Sequence, residues 1–391
     1  MPRTCARWMA FVLLVSLLGG GTAMASELGF SGGVGLAVSY TPIPPASFNI
    51  GADLSLVFDI DGFSFASETG FDLFGFQSEA VTLSVDLGAV QIAEEIRFEP
   101  TFSWNELSVD LGIVGVEFGV DWILANIGSV QTPDYSMGAI VEISSGIVCG
   151  FSISTLTGFG AVDLVNLLGG IEAPFSYELL SLFHYLDTLC VSAVQSDATI
   201  VDGFYFEEAL VRLEADYLGM IASCSTWFDY QGLSQILFEL GYRFEEPTLS
   251  FLTSITLDGS FMITGFDFIV DLAIDVVRFT SHTSFVEATA PSPISIVFGG
   301  QAFAVSFEIC SVVVTSKTAF DGTFLFDEEA IAIDAVIDPV TFKSLTTFDA
   351  GGFAGECVYA GVTFSGATLY TRAEFDGTGI QSVTFGFDLY F

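Results

Sequence analysis

The chain has very few basic side chains. Nine lysines and arginines stand against 48 aspartates and glutamates among 391 residues, which gives a formal net charge of −39 at pH 7. This charge repels the phosphate backbone and excludes nucleic acid as a partner. It favours cations, whether they bind or permeate. The alternative interpretation is that acidic side chains only keep an apolar chain soluble during export.

Long apolar runs are also missing after the N-terminal segment. No later stretch offers about 18 uninterrupted apolar residues, so transmembrane helices are not predicted. Yet hydrophobic residues make up 51% of the chain, with 41 Phe and 40 Gly, and the mean hydropathy is +0.65. This combination predicts strands in lipid or a very large buried core, with little of the chain outside the membrane.

Cysteine and histidine are scarce. After Cys5, the widely spaced Cys149, Cys190, Cys224, Cys310 and Cys357 form no CxxC pair. Neither a zinc site nor a dense disulfide framework is predicted, and one disulfide is left open. The histidines are His184 and His282, and the hydroxyl neighbours of His282 would point to the opposite strand face. We expect no enzyme, no catalytic residues and no cofactor, with divalent cations the one ligand class left open.

The N-terminus has the order of parts typical of a secretory signal peptide. Arg3 and Arg7 precede an apolar stretch over 8–18, and the small-x-small sequence Ala23-Met24-Ala25 follows. We predict that residues 1–25 are cleaved and that 26–391 form a single domain. Seven basic and 48 acidic residues then remain, for a formal charge of −41.

Alternation of apolar with polar or small residues runs through most of the chain. In 48–60 the even positions are apolar, and similar segments recur at 81–87, 211–217, 331–337 and 369–375. This pattern predicts antiparallel strands with one face in lipid or core. The region 158–202 departs from it and is predicted to be a short helix, a plug or an inward loop.

Turn sequences recur about every 28 residues. Phe-Asp pairs begin many of them, as at 228–229, 320–321, 348–349 and 375–376, and Gly299-Gly300-Gln301 is interpreted as an opposite turn. One strand with its turn then takes about 14 residues, whereas a tilted spanning strand needs about 9–11. The predicted fold is all-β, a transmembrane antiparallel up-and-down barrel of about 20–26 strands, even in number, with short turns on both sides.

The last strand carries the most specific signal. Val383, Phe385, Phe387, Leu389 and Phe391 share one face. This terminus resembles the closing strand of bacterial outer-membrane β-barrel proteins, which include the porins. The resemblance implies a location in the cell outer membrane, outer-membrane lipid as a partner and both termini in the periplasm. It also implies that Phe385, Phe387, Leu389 and Phe391 are an assembly signal for the barrel-assembly machinery.

If the apolar face is lipid-facing, the opposite residues line the lumen. The expected acidic lining is Asp53, Asp59, Asp86, Glu117, Asp121, Glu142, Glu214, Asp216, Asp267, Asp271, Asp275, Glu308, Asp334, Glu374 and Asp388. Only Arg212 and Arg372 are expected among them as basic residues. Carboxylates in a pore raise the local cation concentration, although a lumen wall is polar in any case. At the outer end, Phe228, Phe285, Phe320, Phe348 and Phe375 are expected to form an aromatic girdle beside the turn aspartates.

These features predict an outer-membrane channel for passive, cation-preferring diffusion of small cationic or neutral solutes through an acidic lumen. Two alternatives remain open at this point. One is a structural envelope barrel that binds divalent cations and packs laterally. The other is a secreted, soluble β-solenoid or stack of β-sandwiches. Neither the solute nor the oligomeric state follows from the sequence.

Overall fold

The computed structural model describes most of the chain after the N-terminal segment. The described residues are 29–42, 47–60, 62–99, 101–113, 115–129, 131–162, 174–189, 198–245, 248–287 and 296–391. The predicted signal peptide, Cys5 and Cys190 lie outside them. None of the described helices is long and apolar enough to cross a membrane.

Twenty-two antiparallel strands form one sheet that closes on itself. They are β1 (Gly29–Thr41), β2 (Ser47–Ile60), β3 (Phe63–Asp72), β4 (Gly75–Asp86), β5 (Val90–Phe98), β6 (Phe102–Ile113), β7 (Val116–Asn126), β8 (Tyr135–Ser145), β9 (Phe151–Phe159), β12 (Phe206–Tyr217), β13 (Met220–Asp229), β14 (Gly232–Phe244), β15 (Thr248–Asp258), β16 (Ile263–Ile274), β17 (Val277–Glu287), β18 (Ile296–Ile309), β19 (Val312–Asp321), β20 (Phe326–Ile337), β21 (Val340–Asp349), β22 (Gly352–Phe364), β23 (Ala367–Asp376) and β24 (Gly379–Tyr390). The prediction of an up-and-down barrel is confirmed, and the even strand number lies within the predicted range.

The connection from β9 to β12 carries the remaining elements. It contains β10 (Ala161–Val162) and β11 (Thr199–Ile200), which pair with each other, and the helices α1 (Pro174–Leu179) and α2 (Ser181–Thr188). β9 and β12 pair directly, with Leu156 opposite Leu210. The ring of barrel strands is therefore complete without this connection, which leaves the wall after β9 and returns to it at β12.

The barrel closes where the last strand meets the first. β24 pairs with β1, with Phe385 opposite Val38 and Tyr390 opposite Gly33. Phe391 and Gly32 then exchange two backbone hydrogen bonds of 2.9 Å. Each of the twenty-two barrel strands thus has two neighbours, so this sheet has no free edge strand. This closed antiparallel ring contradicts the β-solenoid and β-sandwich alternatives.

The helices identify the inner face of the barrel. Together they contact the strands from β13 round to β21, where Ile221 and Leu345 mark the two limits. Nine strands spaced about 4.8 Å apart cover about 38 Å of wall, whereas fourteen helical residues extend about 21 Å. So short a segment reaches all nine strands only from the concave side. The wall residues that touch α1 and α2 therefore face the lumen, and cross-strand register extends this assignment around the ring.

The two rims differ in their turns. The rim that holds Phe391, named here the terminal rim, has two-residue turns such as Leu218-Gly219 and Cys310-Ser311. Leu218 has a φ of 51° and Gly219 one of 82°, values that suit the tight turns joining twisted antiparallel strands. The opposite rim, named here the aspartate rim, carries the Phe-Asp turns. All the recurring Phe-Asp turns thus lie at one end of the barrel.

The interpretation of Gly299-Gly300-Gln301 as a turn is wrong. These residues lie inside β18, where the pairing with β17 shifts by one residue between Ser284 and Phe285. Gly299 is the extra residue of this β-bulge, and a glycine inside a strand commonly marks one. Equivalent shifts occur beside Phe71, Phe98, Phe228, Phe320, Phe348 and Phe375. The bulge repeats along the aspartate rim.

Candidate functional site in the barrel lumen

Register places fourteen of the fifteen expected acidic residues on inward-facing strand positions. They are Asp53, Asp59, Asp86, Glu117, Asp121, Glu142, Glu214, Asp216, Asp267, Asp271, Glu308, Asp334, Glu374 and Asp388. The fifteenth, Asp275, lies instead in the terminal-rim turn between β16 and β17, with a φ of 49°. The apolar residues of the last strand occupy the outward positions of β24.

The basic residues are more concentrated in the lumen than the sequence suggested. All seven that follow residue 25 face inward: Arg97, Arg212, Arg243, Arg278, Lys317, Lys343 and Arg372. The expectation of only Arg212 and Arg372 was wrong. Around Lys317 the outward neighbours are Ser316 and Thr318. Both faces of the strand are therefore polar here, and the sequence alone does not show which face points into the lumen.

Each of these seven basic side chains contacts a carboxylate of the wall or of α1. On the wall, the ion-pair distances are 2.8 Å for Arg278–Asp271, 3.2 Å for Lys343–Asp334, 3.6 Å for Lys317–Glu328, 2.8 Å for Arg372–Glu374 and 3.8 Å for Arg212–Glu214, and Arg97 pairs with Glu95. Arg243 pairs with Glu178 of α1 and lies 3.8 Å from Asp216. The cations are therefore offset locally, and carboxylates remain in excess.

Two carboxylates converge at the closure seam. Gly35 of β1 lies opposite both Asp53 and Asp388. A Cβ atom at Gly35 would lie 3.0 Å from Asp388 Oδ1 and 3.6 Å from Asp53 Oδ2, so both acids extend over the glycine. Tyr359 and Tyr370 stack beside them at 5.8 Å between ring centroids. Within the described residues neither acid has a basic partner, which makes the seam a strongly negative part of the wall.

The helices α1 and α2 dock on the opposite part of the wall. Glu239 of β14 is 2% exposed and accepts hydrogen bonds from the backbone amides of Phe175 and Ser176, at 3.2 and 2.7 Å. Ser223 Oγ donates to the same carboxylate at 2.7 Å. A carboxylate buried this deeply needs such donors, because desolvation without them is costly.

Further polar contacts hold α2. Arg278 Nη1 donates to Ser181 Oγ at 2.8 Å, and Tyr185 Oη donates to Asp334 Oδ2 at 3.2 Å. Lys317 Nζ lies 6.0 Å from the centre of the Phe183 ring, within range of a cation–π contact. Arg278 and Lys317 thus contact both the helical segment and carboxylates of the wall.

Apolar side chains complete the docking surface. Phe175 and Leu179 of α1 pack against Ile221, Leu252 and Ile269. Leu186 of α2 packs against Ala330 and Ala332 of β20. Inward-facing apolar residues are unexpected in a water-filled lumen, and the helices that cover them account for their presence.

The aspartates of the rim turns have a local structural role. Oδ1 of Asp72, Asp229, Asp321 and Asp376 accepts backbone amide hydrogen bonds from residues two to four positions later, at 2.7 to 3.2 Å. This is the Asx-turn chemistry that favours Asp in turns. The preceding phenylalanines face outward, and Phe348 contacts Phe353 edge-on at 6.1 Å. The turn chemistry explains these aspartates without a bound ion.

His282 lies beside an acid and a hydroxyl group on the inner wall. His282 Nε2 lies 2.8 Å from Asp267 Oδ1, and Ser254 Oγ donates to Oδ2 of the same aspartate at 3.1 Å. The serine thus contacts the acid rather than the imidazole. The side chain of His184 lies outside the described part of the chain. Among the described residues, no three His, Cys, Asp or Glu side chains are grouped so that they could hold a metal ion.

Comparison with known proteins gives only distant likenesses. No family model and no curated protein matches the chain. Among solved structures, a mutant of the Rh. blastica porin aligns with a TM-score of 0.40 at 10% identity, over 93% of this chain and 100% of the porin. A triple mutant of the Rhodopseudomonas blastica porin aligns with a TM-score of 0.39 at 9% identity over the same shares. At these values the function has to be inferred from the geometry of the chain itself.

Proposed function

We propose that this chain is an outer-membrane channel for passive, cation-preferring diffusion of small cationic or neutral solutes. The carrying observation is a closed barrel whose inner wall holds an excess of carboxylates and whose outer wall is largely apolar. Rows of carboxylates along an aqueous path concentrate cations and repel anions. In this function no bond is made or broken, so the wall acts only through its charge and through the cross-section that it leaves free.

The outer wall supports a location in lipid. Phe385 and Leu36 lie on adjacent outward positions near the seam and are 62% and 47% exposed. Outward apolar residues continue through β2, β7, β8 and β14, far beyond the few hundred Å² that a soluble monomer usually exposes. The outward phenylalanines of the aspartate rim suit the membrane interface, where outer-membrane barrels carry aromatic girdles.

Planar-bilayer recording of the purified, detergent-extracted protein tests the channel directly. We expect discrete conductance steps in KCl after insertion. Protein unfolded in urea and added at the same concentration is the control and should give none. A folded protein that inserts without conductance steps contradicts the proposal.

One observation favours the scaffold alternative as a second candidate. Glu79, Glu329 and Glu356 face outward beside the rim phenylalanines, opposite Phe98, Phe348 and Phe375 respectively. Such acids could bind divalent cations between neighbouring barrels. Removal of divalent cations with a chelator would then lower the thermal stability of the membrane-embedded protein, and replacing all three acids with Gln would abolish that sensitivity. A chelator-insensitive melting temperature contradicts this second candidate.

We also propose that the last strand directs assembly through the barrel-assembly machinery. Its apolar face is outward, and Phe391 completes the pairing with Gly32. Deletion of Phe391 removes two backbone hydrogen bonds and the ring contact with Phe30 at 6.3 Å between centroids. We expect a severalfold lower yield of assembled barrel in cells, measured as heat-modifiable migration on SDS gels. Unchanged yield contradicts the proposal.

A further inference from the structure

The helical segment α1–α2 is attached to the barrel through side chains. Among the described residues, no backbone–backbone hydrogen bond joins 174–189 to a barrel strand. The ring is closed behind the segment, because Gly158 of β9 pairs directly with Glu208 of β12. The segment can therefore leave the wall without breaking the sheet, and its position depends on the contacts that hold it.

Strand β14 holds both ends of α1. Glu239 binds the amides of Phe175 and Ser176 at the start of the helix, and Arg243 pairs with Glu178 near its end. Four strand residues extend about 13 Å, a few ångströms more than the length of about 9 Å of a six-residue helix. Both side chains face inward because their positions differ by an even number, so one strand can hold α1 at two points.

The two contacts differ in how deeply they are buried. The Glu239 carboxylate is almost fully buried, so loss of its amide donors would leave a desolvated charge. The side chain of Arg243 is 29% exposed, and its guanidinium also lies 5.8 Å from the centre of the Phe175 ring. Asp216 adds a second negative partner at 3.8 Å. Reversal of the charge at Arg243 would place three acids together and expel Glu178.

We propose that Glu239 and Arg243 are positioning residues that fix α1 against the lumen wall and thereby help to set the free cross-section of the barrel. Neither residue needs to touch a solute. With both contacts intact, the segment covers the inward apolar residues of β13, β15 and β16. With the contacts broken, α1 leaves the wall while α2 keeps its own contacts with Arg278 and Asp334, and the part of the lumen that α1 fills changes. The effect on conduction rests on the proposed channel function, whereas the effect on the segment does not.

Hydrogen–deuterium exchange of the full-length protein in detergent micelles tests the anchoring. The amides of α1 should be protected in the native chain and should exchange about tenfold faster in Arg243→Glu and in Glu239→Ala. The double variant Glu178→Arg/Arg243→Glu restores an ion pair of reversed polarity and should recover most of the protection. Arg372→Glu on β23 makes the same charge change away from the docked helices and should leave α1 protected.

Conductance gives the second readout. If the barrel conducts, Arg243→Glu should change the single-channel conductance and the charge-swapped double variant should bring it back. Unchanged exchange at α1 in both Arg243→Glu and Glu239→Ala, or failure of the swap to restore protection, overturns the positioning role. Faster exchange in barrels that never conduct leaves the positioning role standing and refutes the channel function instead.

Discussion

Replacing Asp53, Glu68 and Asp388 with Asn, Gln and Asn should lower the permeability ratio of K⁺ over Cl⁻ by roughly three- to tenfold. The three acids lie on inward positions of β2, β3 and β24, and the seam acids extend over Gly35. None of the three is in an ion pair with a described basic residue. Their charge is therefore available to the solution in the lumen, where carboxylates concentrate cations. The ratio is measured from reversal potentials in a KCl gradient.

A matched control separates the lumen from the surface. Glu79, Glu329 and Glu356, each replaced with Gln, remove the same number of charges from outward positions of β4, β20 and β22. This variant should keep the native permeability ratio, because its acids do not line the path. If both triple variants lower the ratio equally, selectivity arises from the overall charge of the protein, and the lumen wall is not its source.

Replacing Leu36 with Arg should destabilise the membrane-embedded barrel by about 2–4 kcal/mol, the cost of an arginine on the lipid face near the bilayer midplane. Leu36 lies in the middle of β1 on the outer wall. Its neighbour Ala37 faces the lumen, where Gly51 and Gly386 flank it. Ala37→Arg places the same side chain one residue further along the chain and on the opposite face, next to an acidic wall. It should cost much less.

Urea titrations in lipid vesicles measure both variants. The native protein should have the highest free energy of unfolding, followed by Ala37→Arg and then Leu36→Arg. The difference between the two variants should be larger than the difference between the native protein and Ala37→Arg. Equal destabilisation by the two arginines would contradict the assignment of the outer and inner walls. Such a result would remove the main support for a location in lipid.

The barrel could be predicted from the sequence because each strand shows its own alternation of apolar and polar residues, without reference to distant parts of the chain. Alternation in a segment such as 48–60 assigns successive residues to opposite faces of the strand. The terminal strand shows that the apolar face is the outer one. The same rule misleads at tight turns. The alternation of 266–276 and 303–313 runs past the end of β16 at Ile274 and of β18 at Ile309, because two-residue turns carry no polar loop between the strands. It also misplaces Asp275.

Other features depend on contacts that are distant in the chain. The position of α1 depends on hydrogen bonds from the backbone amides of Phe175 and Ser176 to Glu239, which lies more than sixty residues away in the chain. A buried glutamate of this kind looks in the sequence like any other inward strand acid. The inward direction of Lys317 was missed for another reason, since the hydroxyl residues Ser316 and Thr318 occupy the outward positions beside it. Beside Lys343 the outward positions hold one apolar residue, Phe342, and one hydroxyl residue, Ser344. Only the register with β18, β20 and β22 shows where these cations point.

The most direct test of the central claim is the reversal potential of the native channel in a planar bilayer under a KCl gradient. An acidic lumen predicts a potential displaced toward the equilibrium value for K⁺. That displacement should shrink as the salt concentration rises, because mobile ions screen the wall charges. A potential at zero, or displaced toward the equilibrium value for Cl⁻, would contradict a cation-preferring lumen.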